Sequence, residues 1–141
     1  MDTPDDLTMP LLLSAAFDSL VDAVQARLDG EGFPGIRATH GFAMQAIGDG
    51  CTGVELGQRL HVSKQAAAQT AKALETMGLV DRHGDALDRR ARIIRPTARG
   101  REMLRRSASA FEDEVKRWRT IAGNDRVDVL LSTLDGITRS A

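Results

Sequence analysis

Residues 52–78 read TGVELGQRLHVSKQAAAQTAKALETMG, and this stretch decides the fold. Thr52 and Glu55 stand three apart, the spacing of a capping box, in which a hydroxyl and a carboxylate satisfy two of a new helix's unpaired N–H groups. The helix they open is short, with Leu56 and Leu60 four apart. His61-Val62 predicts a tight turn, and Ser63 a second N-cap. The next helix covers Lys64–Met77 and stops at Gly78, a residue suited to the position just past a helix end. On it the 3.6-residue period turns Ala67, Ala71 and Leu74 inward and Lys64, Gln65, Ala68, Gln69 and Lys72 outward. A short helix, a tight turn and a capped second helix make a helix-turn-helix.

Downstream, Leu79–His83 and Arg92–Arg95 are strand-compatible and Gly84–Ala91 is polar, so the pair predicts a β-hairpin. Pro96 ends the second strand, and Thr97 caps a long helix. That helix carries Leu104, Ala108, Phe111, Val115, Trp118 and Ala122 at alternating spacings of four and three, a pattern suited to packing along another helix. Gly123-Asn124 breaks it. Asn124 or Asp125 caps a last helix with Val127, Leu130, Leu131, Leu134 and Ile137 on one side. Upstream, Pro10 fits a first helical turn, and Leu13, Phe17, Leu20, Val24 and Leu28 line one face of a helix to about Gly30. Glu31–Arg37 is a loop, and a second helix starts after Thr39 with Phe42, Ala43, Ala46 and Ile47. The predicted architecture is mainly α with one small hairpin: a winged helix-turn-helix flanked by N- and C-terminal helices.

Composition bounds what such a chain does. Its 141 residues fit one ordinary domain, and a single Cys excludes an internal disulfide framework. The absence of Tyr and an aromatic content of 4% argue against a large aromatic-lined cofactor pocket. The longest obvious apolar run, Leu11–Leu13, is far short of a membrane span, and the acidic start (Asp2, Asp5, Asp6) is the reverse of a secretory leader. The sequence therefore predicts a soluble cytoplasmic protein. A formal net charge of −1 speaks against nucleic acid until it is divided along the chain. Residues 1–36 carry net −6, residues 37–106 net +6, and residues 107–141 net −1. Nine arginines fall within residues 82–106, a dense positive field.

That field sits where DNA chemistry wants it. In a helix-turn-helix the N-terminal part of the second helix reaches base edges in the major groove. Gln65 and Gln69, four apart, are suited to paired hydrogen bonds with adenine, and Ala68 to a thymine methyl. Lys64 and Lys72 are placed to meet phosphates, and the helix N-terminus at Ser63 also attracts one. Asp88-Arg89-Arg90 lies beside the hairpin loop. An arginine there fits a narrow minor groove, and the aspartate is placed to hold its guanidinium in one direction.

These segments together resemble the MarR family of winged-helix transcriptional regulators: Thr52–Leu60, His61–Leu74, Gly78–Arg82, Asp88-Arg89-Arg90 and Pro96–Gly100 follow its order and spacing. The resemblance is close over residues 52–100; the flanking helices match in order and length. It implies a single MarR-like domain, with a winged helix at about 38–100 and dimerisation helices at about 8–37 and 107–141. It implies a homodimer on double-stranded DNA with a pseudo-palindromic operator, most often a repressor released by a small-molecule effector. Carried over, Ser63, Lys64, Gln65, Ala68 and Gln69 become recognition-helix contacts, and Arg89 or Arg90 the wing contact oriented by Asp88. The run Ala66-Ala67-Ala68 departs from relatives that carry Ser, Thr or Arg there, which implies modest base readout.

Simpler roles compete at several positions. Ala67, Ala71 and Leu74 are small core residues, Phe111 and Trp118 packing residues, and Arg99, Arg101, Arg105 and Arg106 mostly a solvated helix face with one in reach of a phosphate. Cys51 precedes a capped helix, whose N-terminus would lower its pKa, but a lone Cys is ordinarily an inert, partly buried side chain. His40, His61 and His83 have no metal-ligand spacing, so no metal or cofactor is expected. A second function class is a winged-helix protein-interaction module without specific DNA binding. An enzyme has no recognisable catalytic set here.

Overall fold

The structure is a computed structural model, and it describes residues 2–84 and 92–141. A short 3-10 turn, Asp6–Thr8, precedes six helices: α1 (Met9–Gly30), α2 (Ala38–Ile47), α3 (Gly53–Leu60), α4 (Lys64–Thr76), α5 (Ala98–Ala122) and α6 (Asn124–Ser140). Three short strands, β1 (Cys51–Thr52), β2 (Val80–Gly84) and β3 (Arg92–Pro96), form an antiparallel sheet in the order β1-β3-β2. The chain divides into two compact units, Gln25–Ser107 and Met1–Val24 with Ala108–Ala141.

The larger unit is the winged helix. Thr52 Oγ1 accepts from the Glu55 N–H at 3.1 Å while Glu55 Oε1 accepts from the Thr52 N–H at 3.0 Å, the reciprocal pair that the sequence predicts. Ser63 Oγ accepts from the Ala66 N–H at 3.1 Å and starts α4. Between them His61 takes the left-handed conformation (φ 56°, ψ 42°), uncommon for a residue with a Cβ although His tolerates it better than most. Its N–H and that of Val62 close the turn onto Gln58 and Gly57 carbonyls. Gly57 eases this close turn, since a Cβ would stand a tight 3.3 Å from the Val62 oxygen.

The sheet differs from the predicted hairpin by one strand. Cys51 and Thr52 pair with Ile94 and Ile93, and β3 ends, as predicted, at Pro96, its last residue, opposite Val80. At the start of α5, Thr97 both caps and ties: its Oγ1 accepts from the Gly100 N–H at 3.0 Å and donates to the Gly78 carbonyl at 2.6 Å. Gly100 permits the close passage that follows, because a Cβ there would run into the Leu79 carbonyl and lie 3.0 Å from Met44 Cε. Leu28, Met44, Ile47, Leu56, Leu74, Leu79 and Met103 are fully buried in this unit.

Helix α2 begins two residues earlier than predicted, at Ala38. The Arg37 N–H donates to His40 Nδ1 at 3.0 Å, so an imidazole fills the role that Glu or Gln plays in a standard capping box. Burial, then the nearby Arg37 charge, lowers the His40 pKa, as an imidazole that must stay an acceptor at Nδ1 requires.

In the smaller unit the described helices leave apolar side chains open. Leu7, Leu11, Leu12, Phe17, Ile121, Val129, Leu131 and Ile137 are all exposed, whereas Ala110 and Val127 are buried. Gly123 (φ 99°) is the N-cap of α6; the predicted caps Asn124 and Asp125 are its first helical residues. Arg119 bridges the corner, donating to the Asn124 carbonyl at 3.2 Å and to Asp128 Oδ1 at 2.8 Å. The expectation that no stretch suits a membrane needs correction: Asp6–Gly30 is long and apolar enough to cross one by length and composition. Counting contiguous apolar runs hid this, because only Asp18 and Asp22 interrupt residues 7–24.

Candidate nucleic-acid interface

The face of α4 divides as its period requires. Ala67, Ala71 and Leu74 are 0–1% exposed, and Ser63, Lys64, Gln65, Ala68, Gln69 and Lys72 are all exposed. Thus every expected recognition-helix residue lies on one open face. Asp88, Arg89 and Arg90, the expected wing contacts, lie outside the described residues.

Beside that face runs a groove of about 340 Å³, whose lining includes Thr52, Gly53, Lys64, Ala68, Arg82 and Arg92. A second hollow of about 390 Å³, at the helix-turn-helix turn, shares Val54 and Lys64 with it and adds Gln58, His61 and Val62. Lys64 therefore stands between two concave surfaces at the N-terminus of α4, where the helix dipole adds to its charge. Arg82 and Arg92 line this groove, a placement that sequence patterning missed. Each looks like an ordinary strand residue, and only the pairing Arg82↔Ile94 and Gly84↔Arg92 carries them to the groove.

The basic residues of this unit fall into two groups. Arg99 is structural: it donates to the Gly32 carbonyl at 2.8 Å and to the Met77 carbonyl at 3.4 Å, and its guanidinium lies 4.4 Å from the Phe33 ring centroid. Arg59 holds the Ala46 carbonyl at 2.7 Å, and Arg101 pairs with Asp49 at 3.4 Å. Arg105 and Arg106 share Glu102, at 2.6 and 2.9 Å, and Arg106 also reaches Glu31 at 3.3 Å. The arginines around Glu31 and Glu102 hold both carboxyls below their usual range. Arg82 Nε lies 3.1 Å from Glu75 Oε2, an ion pair without hydrogen-bond geometry. Lys64, Lys72, Arg92 and Arg95, by contrast, have no carboxylate partner among the described residues. A phosphate would meet those four without breaking an internal pair. The four α5 arginines thus form the largely solvated helix face that the sequence suggests, tied by surface ion pairs and backbone carbonyls.

The remaining candidates are quieter. Cys51 is 2% exposed, and burial pushes its thiol pKa up despite the nearby Arg59. It is therefore a protonated core residue within a strand, not an activated thiolate. His83 Nε2 lies 2.7 Å from Asp81 Oδ1, and no cluster of metal-ligating side chains occurs among the described residues.

Comparison with known proteins agrees with this geometry. Residues 42–91 match the model of the MarR family. Among solved structures the chain is similar to FabT of Streptococcus pneumoniae in complex with DNA (18% identity, 96% of each chain, TM-score 0.79). It is similar also to YusO of Bacillus subtilis (17% identity, 99% of this chain and 100% of that one, TM-score 0.71). Wild-type MarR of E. coli in its apo form is a further likeness (18% identity, 97% of this chain and 98% of that one, TM-score 0.69). No curated protein matches the sequence. The chain thus has the winged-helix fold of these structures, and its residues 42–91 match the MarR family's model.

Proposed function

We propose that the chain is a cytoplasmic, homodimeric transcriptional regulator, a repressor that grips a pseudo-palindromic operator in double-stranded DNA and leaves it when a small-molecule effector binds. The observation that carries this is the open face of α4: Gln65 and Gln69 for base edges, Ala68 for a methyl group, and Ser63, Lys64 and Lys72 for phosphates, all exposed opposite a buried alanine stripe. The groove beside it adds Arg92 to the phosphate contacts. Asp88, Arg89 and Arg90 complete the interface as the wing. The likeness to a FabT structure that contains DNA supports the same role. The open apolar side chains of α1, α5 and α6 support dimerisation, since stretches of this extent on a chain in water call for a partner. The family match supports a regulator rather than an enzyme.

A gel-shift assay with the DNA upstream of the chain's own gene tests the proposal. A retarded complex that survives excess unrelated DNA, and weakens log-linearly with salt, supports it. The alternative is a protein-interaction module, favoured by the triple alanine Ala66-Ala67-Ala68 in the recognition helix. It predicts no competitor-resistant complex.

A further inference from the structure

In the larger unit two helix ends meet at one side chain. The stem of Arg99 passes Gly78, where a Cβ would lie 3.6 Å from its Cδ. Its Nε donates to the carbonyl of Met77, the C-cap of α4, at 3.4 Å. Its Nη2 donates to the Gly32 carbonyl at 2.8 Å, and the guanidinium lies over the Phe33 ring, 4.4 Å from its centroid. Gly32 and Phe33 belong to the turn that follows α1. The Phe33 N–H folds this turn back onto the helix by donating to the Leu28 carbonyl at 2.9 Å, and the Phe33 side chain is buried. The neighbouring Glu31 is taken up by Arg27 and Arg106, at 3.2 and 3.3 Å, and Arg99 has no carboxylate partner among the described residues. Its charge is answered instead by carbonyl oxygens at the negative ends of two helices and by an aromatic face.

We propose that Arg99 is a positioning residue for base readout: it fastens the C-terminal end of α4 to the end of α1 and so sets the angle at which Gln65 and Gln69 meet base edges. This role rests on the DNA reading proposed above and adds to it a residue at the opposite end of the helix from Gln65. From Gln65 to Met77 the helix runs about 18 Å, at about 1.5 Å per residue. A tilt of about 10° around the tied end would move Gln65 by roughly 3 Å, whereas a hydrogen bond tolerates about 0.5 Å. Lysines follow such a movement on their flexible stems and keep their phosphates; a paired contact with one base does not survive it. Thr97 holds the next carbonyl, that of Gly78, at 2.6 Å and ties the end of α4 to α5. Arg99 carries the tie on to α1.

The test is the ratio of affinities for the upstream DNA and for an unrelated duplex of equal length, read by fluorescence anisotropy on full-length variants whose folding is checked by circular dichroism. Arg99→Gln keeps part of the stem and removes the charge. It should lower the ratio about threefold to tenfold, while the affinity for the unrelated duplex and the salt slope stay at wild-type values. Arg99→Lys returns a cation to the helix ends without the planar fork and should recover part of the ratio. Should Arg99→Gln not fold, Arg99→Lys compared with wild type carries the same two outcomes. Phe33→Leu keeps an apolar side chain and removes the ring under the guanidinium. It should lower the ratio in the wild-type background and add nothing in the Arg99→Gln background. An arginine that only holds the fold together would lower the melting temperature and leave the ratio at its wild-type value, which would overturn the proposal. Equal losses from Phe33→Leu in both backgrounds would overturn it too. A wild type that does not distinguish the two duplexes would instead overturn the DNA reading on which the role of Arg99 rests.

Discussion

Replacing Lys64 by Ala tests the phosphate assignment quantitatively. Lys64 stands at the N-terminus of α4, lines both concave surfaces of the interface, and has no carboxylate partner among the described residues. Its removal should therefore cost little stability. In the proposed dimer on DNA it would remove one phosphate contact per protomer, two in all. Each neutralised phosphate contributes about 0.9 to the slope of log K against log salt, so the slope should become shallower by roughly 1.8. Between about 50 and 200 mM salt the variant should lose roughly tenfold less affinity than wild type does over the same range. Arg92→Ala should behave alike. Arg99→Ala is the control: it gives up two backbone carbonyls and an aromatic face, so it should lower the melting temperature and leave the slope nearly unchanged. Fluorescence anisotropy with one labelled duplex at five salt concentrations reads all three. A wild-type slope in both Lys64→Ala and Arg92→Ala would refute the assignment.

Other perturbations address the fold and the dimer. Gly100→Ala forces a methyl group into the Leu79 carbonyl and against Met44. The overpacking should cost about 3 kcal/mol despite the better helix propensity of Ala, and an unchanged urea midpoint would contradict the close passage. His40 has a folded-state pKa below 6.5, so the unfolded chain takes up that proton first. Its contribution to stability is full above that pH and is lost as pH falls through the lower folded value. His40→Gln keeps an acceptor for the Arg37 N–H and should flatten the loss of stability between about pH 7 and 5; equal slopes would count against the cap. Leu130→Asp puts a carboxylate into an apolar hollow lined by Trp118, Ile121 and Leu130 and should abolish the dimer, which sedimentation velocity would read directly.

The helix-turn-helix was legible because its signals are local. Thr52 with Glu55, and Ser63 before an alanine-rich run, act within a few residues of themselves. What stayed hidden depends on distant pairing. The two-residue strand at Cys51–Thr52 is too short to show alternation and exists only because β3 lies beside it. Arg82 and Arg92 reach the groove through sheet register, and Gly100 looks like a poor helix residue until Leu79 is seen across from it. The Arg-rich composition announced a positive field but not its division. Among the described residues of 82–106, five of seven arginines spend their charge on Glu31, Asp49, Glu75, Glu102 and backbone carbonyls, leaving Arg92 and Arg95 open. The net charge of −1 misled for the same reason: it averages an acidic, apolar N-terminal helix with a basic winged helix.

The central claim is that the open face of α4 reads base sequence. Its most direct measurement is the ratio of affinities for the upstream DNA and for an unrelated duplex of equal length, in wild type and in Gln65→Ala with Gln69→Ala. Each bidentate contact with a base carries about 1–3 kcal/mol of discrimination. The double variant should therefore lose at least tenfold of the ratio while its affinity for unrelated DNA is unchanged. A wild type that does not distinguish the two duplexes, or a double variant that distinguishes them equally well, would contradict the account.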